Sequence, residues 1–100
     1  MKKSVPYKAW LLESLRDHDE AVAYLNAALE ESLKGDLESQ SVFLMAIRDV
    51  AEAQGGISQL ASSANLGRES LYKSLSKQGN PKWQTLVALL SGLGLQLKLV

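Results

Sequence analysis

The stretch from 56 to 81 constrains the fold of this 100-residue chain more than any other part of it. Apolar residues at helical spacing fill two short segments on either side of Asn65-Leu66-Gly67, which is typical of a tight turn. Two helices that cross steeply over so short a turn need a small residue at the crossing, and Ala61 is there. They also need a residue that tolerates positive φ, which Asn65 supplies, and an apolar anchor in the second helix, which is Leu71. The pattern predicts a helix-turn-helix unit.

The rest of the chain is also patterned for helix, since Ala, Leu, Glu, Lys, Ser and Gln dominate and aromatic and β-branched residues are few. Asp17, with Asp19 as the alternative, and Asp36 are suitable N-caps for two long helices that end near Gly35 and Gly55. Helices are predicted from about 17 to 35, over 36–54, 58–64 and 68–76, and from about 82, and a short helix could precede them at 7–16. The apolar stripes of the long helices are Val22, Leu25, Leu29 and Leu33, and Phe43, Ile47, Val50 and Ala51. We expect an all-α bundle of five helices that ends in a short C-terminal β-strand.

The last residues alternate apolar and polar side chains with a period of two, which is a strand pattern. Leu95, Leu97 and Leu99 would then share one face. A lone terminal strand can pair only with a strand of another chain, so these leucines are predicted to form a dimer interface across a two-fold axis. Such pairing would place the second helices of two helix-turn-helix units about 34–36 Å apart, which is one turn of DNA.

The second helix of the unit has a polar face opposite Leu71 and Leu75. Arg68 and Glu69 in its first turn are candidate base readers, because Arg can bond guanine bidentately and Glu can accept from cytosine. The candidate DNA-contacting residues are Ser58, Gln59, Arg68, Glu69, Tyr72, Lys73, Ser76 and Lys77, with the lysines as phosphate contacts. For each residue the alternative is a solvated helix surface, and for Glu69 also a capping or intrahelical ion-pair role. For the whole unit the alternative is a helical hairpin without DNA affinity.

Charge is divided unevenly along the chain. The 11 basic and 11 acidic residues give a formal net charge of zero, which alone argues against a nucleic-acid partner. However, residues 1–54 hold six basic and ten acidic residues, whereas residues 55–100 hold five basic and one acidic residue. The positive half coincides with the predicted helix-turn-helix. Since the Debye length at physiological salt is about 8 Å, this local charge matters more to a phosphate than the neutral sum.

Several function classes lack the residues that they need. The chain has no cysteine, which excludes a thiolate metal site, and no second histidine to join His18 in a metal site. His18 stands at a predicted helix start, where the role of a solvated capping residue is more typical than that of a catalyst. The acidic residues between 30 and 38 do not form a carboxylate pair, because they point around helix ends. No enzyme activity, metal or cofactor is expected. The longest apolar run, 42–47, is far shorter than the ~20 residues of a membrane span, so a cytoplasmic protein is expected.

The sequence resembles the Xre-like helix-turn-helix antitoxins of HigA type, the short addiction module antidotes paired with RelE/HigB-like toxins. The most specific part of the resemblance is RESLYKSLSKQGNP at 68–81, followed by Thr85-Leu86 and the segment 92–95. Tyr24-Leu25 and the Gly55-Gly56 break also match. Asn65 and Gly67 depart from the group, in which Gly and Ser are more usual at these positions.

The resemblance implies a lambda-repressor-like bundle that neutralises a ribonuclease toxin and represses its own operon at a palindromic operator. It also implies a dimer, often with the toxin as co-repressor. The family's DNA-contacting positions correspond here to Gln59, Arg68, Glu69, Tyr72 and Lys73. We divide one compact domain into residues 1–54, which form core and a toxin-contacting part, and residues 55–100, which bind DNA and dimerise. The N-terminal apolar cluster of Tyr7, Trp10, Leu11 and Leu12 is either an interface or core packing. The alternative functions are an orphan phage-type regulator and a helical protein-interaction module.

Overall fold

The computed structural model describes residues 7–76 and 78–94, and these form six helices. The helices are α1 (Tyr7–Ser14), α2 (His18–Ser32), α3 (Leu37–Ala53), α4 (Ile57–Ser63), α5 (Arg68–Ser74) and α6 (Trp83–Gly92). This part of the chain contains no strand, so the all-α prediction is confirmed for it. The short N-terminal segment also forms a helix, α1, so the described residues contain six helices instead of the expected five. The predicted C-terminal strand, with Leu95, Leu97 and Leu99, lies outside the described residues.

Helices α2 and α3 make the most extensive contact between any two helices. Each begins at an aspartate whose carboxylate accepts a backbone hydrogen bond, Asp17 from Glu20 at 3.0 Å and Asp36 from Ser39 at 2.7 Å. Both predicted N-caps are therefore confirmed. The Ser39 N–H lowers the pKa of Asp36. The stabilising contribution of this cap is thus present above the ordinary pKa of an aspartate and lost as the pH falls through the lowered value.

All six helices contribute side chains to one core. Its members include Leu11, Leu25, Ile47, Leu60, Leu71 and Leu89, one from each helix. The predicted stripe of α3 is confirmed, since Phe43, Ile47, Val50 and Ala51 are all buried. The stripe predicted for α2 is wrong at its last position, because Leu33 is 68% exposed. Leu33 follows the last residue of α2 as its C-cap, so the helical periodicity no longer holds its side chain against the core.

A four-residue turn at 64–67 joins α4 to α5. Asn65 has a φ of 59°, and the N–H groups of Leu66 and Asn65 donate to the carbonyls of Ala61 and Ser62 at 2.8 and 3.2 Å. These two hydrogen bonds define a Schellman motif, in which the residue just past the helix is left-handed. Asn tolerates that conformation, so the predicted role of Asn65 is confirmed.

The orientation of α5 is fixed by its buried side chains. Leu71 and Leu75 are fully buried, and Ala61 is buried on α4, as the sequence predicts. Helix α6 packs against α4 through Gly92, where a Cβ atom would lie 3.1 Å from Leu60 Cδ1. A larger residue at this position would fit only if the Leu60 side chain shifted by a few tenths of an ångström. The outer face of α5 is left open to solvent.

Candidate nucleic-acid interface

The outer face of the α4–α5 unit carries polar side chains. Six of the candidate positions are exposed: Ser58, Gln59, Arg68, Glu69, Tyr72 and Lys73. Burial of Leu71 and Leu75 explains this arrangement for α5, because an amphipathic helix that buries one stripe presents the opposite side chains to water. The structure therefore brings Arg68, Glu69, Tyr72 and Lys73 onto one short exposed helix.

The end of α5 differs from the prediction. The sequence pattern predicts a helix through Ser76, whereas α5 ends at Ser74. Ser76 is half-buried, and its hydroxyl donates to the carbonyl of Lys73 at 2.9 Å. Serine hydroxyls compete in this way for backbone carbonyls that would otherwise serve the helix. The predicted end of this helix is two residues too late, and Lys77 lies outside the described residues.

Gln59 lies beside the break between α3 and α4. A Cβ atom at Gly55 would lie 2.7 Å from Gln59 Oε1, so the side chain of Gln59 folds back over this glycine. Gly55 has a φ of 125° and Gly56 a φ of 95°, conformations that favour glycine. The glycine pair thus ends α3, as predicted, and leaves room for the Gln59 side chain.

The ring of Tyr72 is close to two guanidinium groups. The Cζ atom of Arg68 lies 5.6 Å from the ring centroid, and that of Arg48, on α3, lies 5.4 Å from it. Both separations are in the range of a cation–π interaction. The sequence does not indicate Arg48, because no local spacing connects it to α5. Only the folded arrangement of the chain brings Arg48 and Tyr72 together.

The N-terminal aromatic residues do not pack into the core. Tyr7 and Trp10 are 70% and 60% exposed, and their ring centroids lie 6.0 Å apart. Leu11 is buried and Leu12 is half-buried. The predicted apolar cluster is therefore split, with its leucines facing the protein and its two rings facing solvent. We call these two rings the aromatic pair.

A charged network holds α1 and α2 against α3. Lys8 Nζ lies 3.2 Å from Glu52 Oε1 and 3.4 Å from Asp49 Oδ1, and the hydrogen bond to Glu52 raises the pKa of Lys8. The hydroxyl of Tyr24 donates to Asp49 Oδ2 at 2.7 Å. Partial burial, together with this bond, raises the pKa of Tyr24. The Lys8 contacts join α3 to α1, the helix that carries the aromatic pair.

Exposed carboxylates are concentrated near the aromatic pair in the sequence. Glu13, Asp17, Asp19 and Glu20 are all exposed and follow Trp10 directly along the chain. In the other half, Arg68, Lys73 and Lys82 are exposed. The charge division that the sequence indicates is therefore carried by side chains at the surface.

The described part of the chain shows no group of three or more His, Cys, Asp or Glu residues arranged to hold a metal ion. His18 is exposed at the start of α2. Among the helices at 7–76 and 78–94, none is long and apolar enough to cross a membrane.

Comparison with known proteins identifies the class more closely. The chain belongs to the family described as "Probable addiction module antidote protein", whose profile matches residues 8–100. It is 37% identical over 84 residues to a Haemophilus influenzae protein described as uncharacterized, a match that covers 84% of this chain and 79% of that protein. No solved structure matches the chain. The family supports an antitoxin role, implies a toxin partner of some kind and confirms the antidote part of the resemblance.

Proposed function

We propose that this antidote protein is the antitoxin of a type II toxin-antitoxin module and represses its own operon in the cytoplasm. In this proposal α4 and α5 form a DNA-binding helix-turn-helix, and α5 enters the major groove. The observation that carries the proposal is the α4–α5 unit, in which the Asn65 turn and the buried Leu71 leave a polar, basic face exposed. The second activity that we propose for the protein is to bind and neutralise a RelE/HigB-like ribonuclease toxin.

The side chains of α5 have distinct roles in this proposal. Arg68 lies in the first turn of the helix, which is the end that reaches base edges in such units. Its guanidinium can bond the O6 and N7 atoms of guanine together, while Glu69 accepts from cytosine N4. Lys73 lies in the last turn and serves as a phosphate contact. Ser58 and Gln59, at the start of α4, contact the DNA backbone in this proposal.

Replacing Arg68 with alanine is expected to reduce affinity for the DNA upstream of the gene by about 1–3 kcal/mol and to relax specificity at one base pair. Replacing Lys73 with alanine, the matched control, should weaken binding to all sequences evenly and reduce the salt slope by about 1. Fluorescence anisotropy with the upstream duplex and a scrambled duplex measures both effects. Equal losses on the two duplexes for Arg68→Ala would place Arg68 among the phosphate contacts.

The toxin-binding surface that we propose is on the acidic half, within residues 1–35. Toxins that cleave RNA need basic surfaces, and the exposed carboxylates after Trp10 are complementary to such a partner. The aromatic pair offers large, rigid rings of the kind that anchor interfaces. Deleting residues 1–16 is not a clean test, because Leu11 and Leu15 would leave the core with them. Substitutions at the exposed rings avoid this problem.

The operator and the dimer belong to the same proposal. A palindromic operator requires two copies of α5 related by a two-fold axis, and Leu95, Leu97 and Leu99 are the residues that we propose for the dimer interface. Sedimentation of the purified chain should give the mass of a dimer, and a monomer at micromolar concentration would remove this part of the proposal.

The toxin is expected to be a basic protein of similar size encoded by the adjacent reading frame.

A further inference from the structure

Arg48 and Arg68 reach the same aromatic ring from different helices. Arg48 is half-buried on α3, and Arg68 is exposed at the start of α5. Their Cζ atoms lie 5.4 and 5.6 Å from the centroid of the Tyr72 ring. Because the ring attracts both cations, it holds two long side chains that would otherwise sample many rotamers. The result is a pair of oriented guanidinium groups next to the outer face of α5.

This pair of positive charges has no paired carboxylate in the part of the chain that the structure describes. Across residues 7–76 and 78–94, no carboxylate forms an ion pair with Arg48 or Arg68 within 4.0 Å. The acidic residues nearest to Arg48 along α3 are Asp49 and Glu52, and both are paired with Lys8. Like charges that converge on one ring repel each other, and a bound anion would relieve that repulsion. The arrangement therefore favours an anionic ligand.

We propose that Arg48 is a further DNA contact, which binds a backbone phosphate while the Tyr72 ring positions it beside Arg68. The inference rests on the proposed DNA binding and extends the interface from α4 and α5 to α3. A guanidinium fork matches the oxygens of a phosphate, which makes arginine suited to this role. Arg48 is half-buried, so part of its side chain reaches solvent. An open cleft beside the ring is lined by Ser58, Arg68 and Tyr72, together with Glu52 of α3. Arg48 is thus a phosphate contact, and it carries no sequence information of its own.

The test replaces Arg48 with glutamine, which keeps a long polar side chain but removes the charge. The probe is a fluorescein-labelled 30-base-pair duplex of random sequence, and its affinity is measured by anisotropy at several KCl concentrations. Loss of one phosphate contact should lower the slope of log K against log salt by about 0.9. The affinity at low salt should fall about tenfold, as expected for one charge-assisted hydrogen bond. Arg48→Lys should keep the slope, because it keeps the charge.

Arg16→Gln is the matched control, because Arg16 is an exposed arginine that pairs with Glu13 at 3.4 Å in the acidic half. Its salt slope and affinity should equal those of the unmodified protein. An unchanged slope for Arg48→Gln, with a lower melting temperature, would show that Arg48 only braces α3 against α5 and would overturn the inference. If Lys73→Ala lowers the slope in the same experiment, the proposed DNA binding survives that failure. If the unmodified protein does not bind the duplex or the upstream DNA, the proposed function fails and Arg48 fails with it.

Discussion

Replacing Trp10 with alanine is expected to weaken binding of the toxin by about 30-fold or more, which is at least about 2 kcal/mol. The physical reason is that a tryptophan ring supplies more buried apolar area at an interface than any other side chain, at little cost in conformational entropy. Trp10 is 60% exposed in the chain alone, so the ring contributes little to its own fold. The melting temperature of the free protein should therefore stay nearly unchanged.

The chain contains a matched control for this substitution. Trp83, at the start of α6, is 76% exposed and lies in the basic half. Trp83→Ala removes the same ring from the opposite part of the sequence and should leave toxin affinity unchanged. Isothermal titration of the purified toxin into each variant measures both effects. Equal affinities for Trp10→Ala and the unmodified protein, or a loss confined to Trp83→Ala, would contradict the placement of the toxin surface on α1.

Replacing Leu71 with alanine is expected to lower the free energy of unfolding by about 2–5 kcal/mol, because the side chain is fully buried and its removal leaves a cavity. A domain of this size is stabilised by only about 5–15 kcal/mol, so the loss is a large fraction of the total. The melting temperature should fall on the order of 10 °C or more. Affinity for DNA should fall as well, since Leu71 holds α5 in the orientation that exposes its polar face.

Leu33→Ala is the control for the cavity argument. Leu33 is 68% exposed, so the same chemical change should alter the free energy of unfolding by no more than about 0.5 kcal/mol. Urea unfolding followed by circular dichroism gives both values on one scale. Similar losses for Leu33→Ala and Leu71→Ala would show that α5 is not anchored through the core.

The features that the sequence predicts correctly are set by neighbouring residues. The caps at Asp17 and Asp36 depend on a side chain and an N–H three positions away. The turn after α4 depends on the tolerance of Asn65 for a left-handed backbone. Each of these follows from local chemistry, which does not require the rest of the fold. The all-helical class follows in the same way from propensity and periodicity.

The features that the sequence analysis missed depend on contacts between distant segments or on competition at a helix end. Arg48 lies beside the Tyr72 ring only because the folded chain places these two parts of α3 and α5 close together. Tyr7 and Trp10 have the same apolar character as Leu11, and only the docking of α1 decides which of them face solvent. At the end of α5, the Ser76 hydroxyl takes the Lys73 carbonyl, which helical periodicity does not anticipate. Six of the eight candidate residues could thus be predicted as exposed, whereas the position of Arg48 on α3 beside Tyr72 could not.

We propose that this chain neutralises a toxin encoded next to it, and growth of a host culture tests that activity. The neighbouring reading frame is placed under one inducible promoter and this chain under another, and optical density is followed after each induction. We expect that the neighbouring frame alone arrests growth and that induction of this chain restores it, with Trp10→Ala restoring it less well. Growth arrest that persists at full induction of the unmodified chain, or a neighbouring frame that never arrests growth, would show that this chain is not the antitoxin of its neighbour.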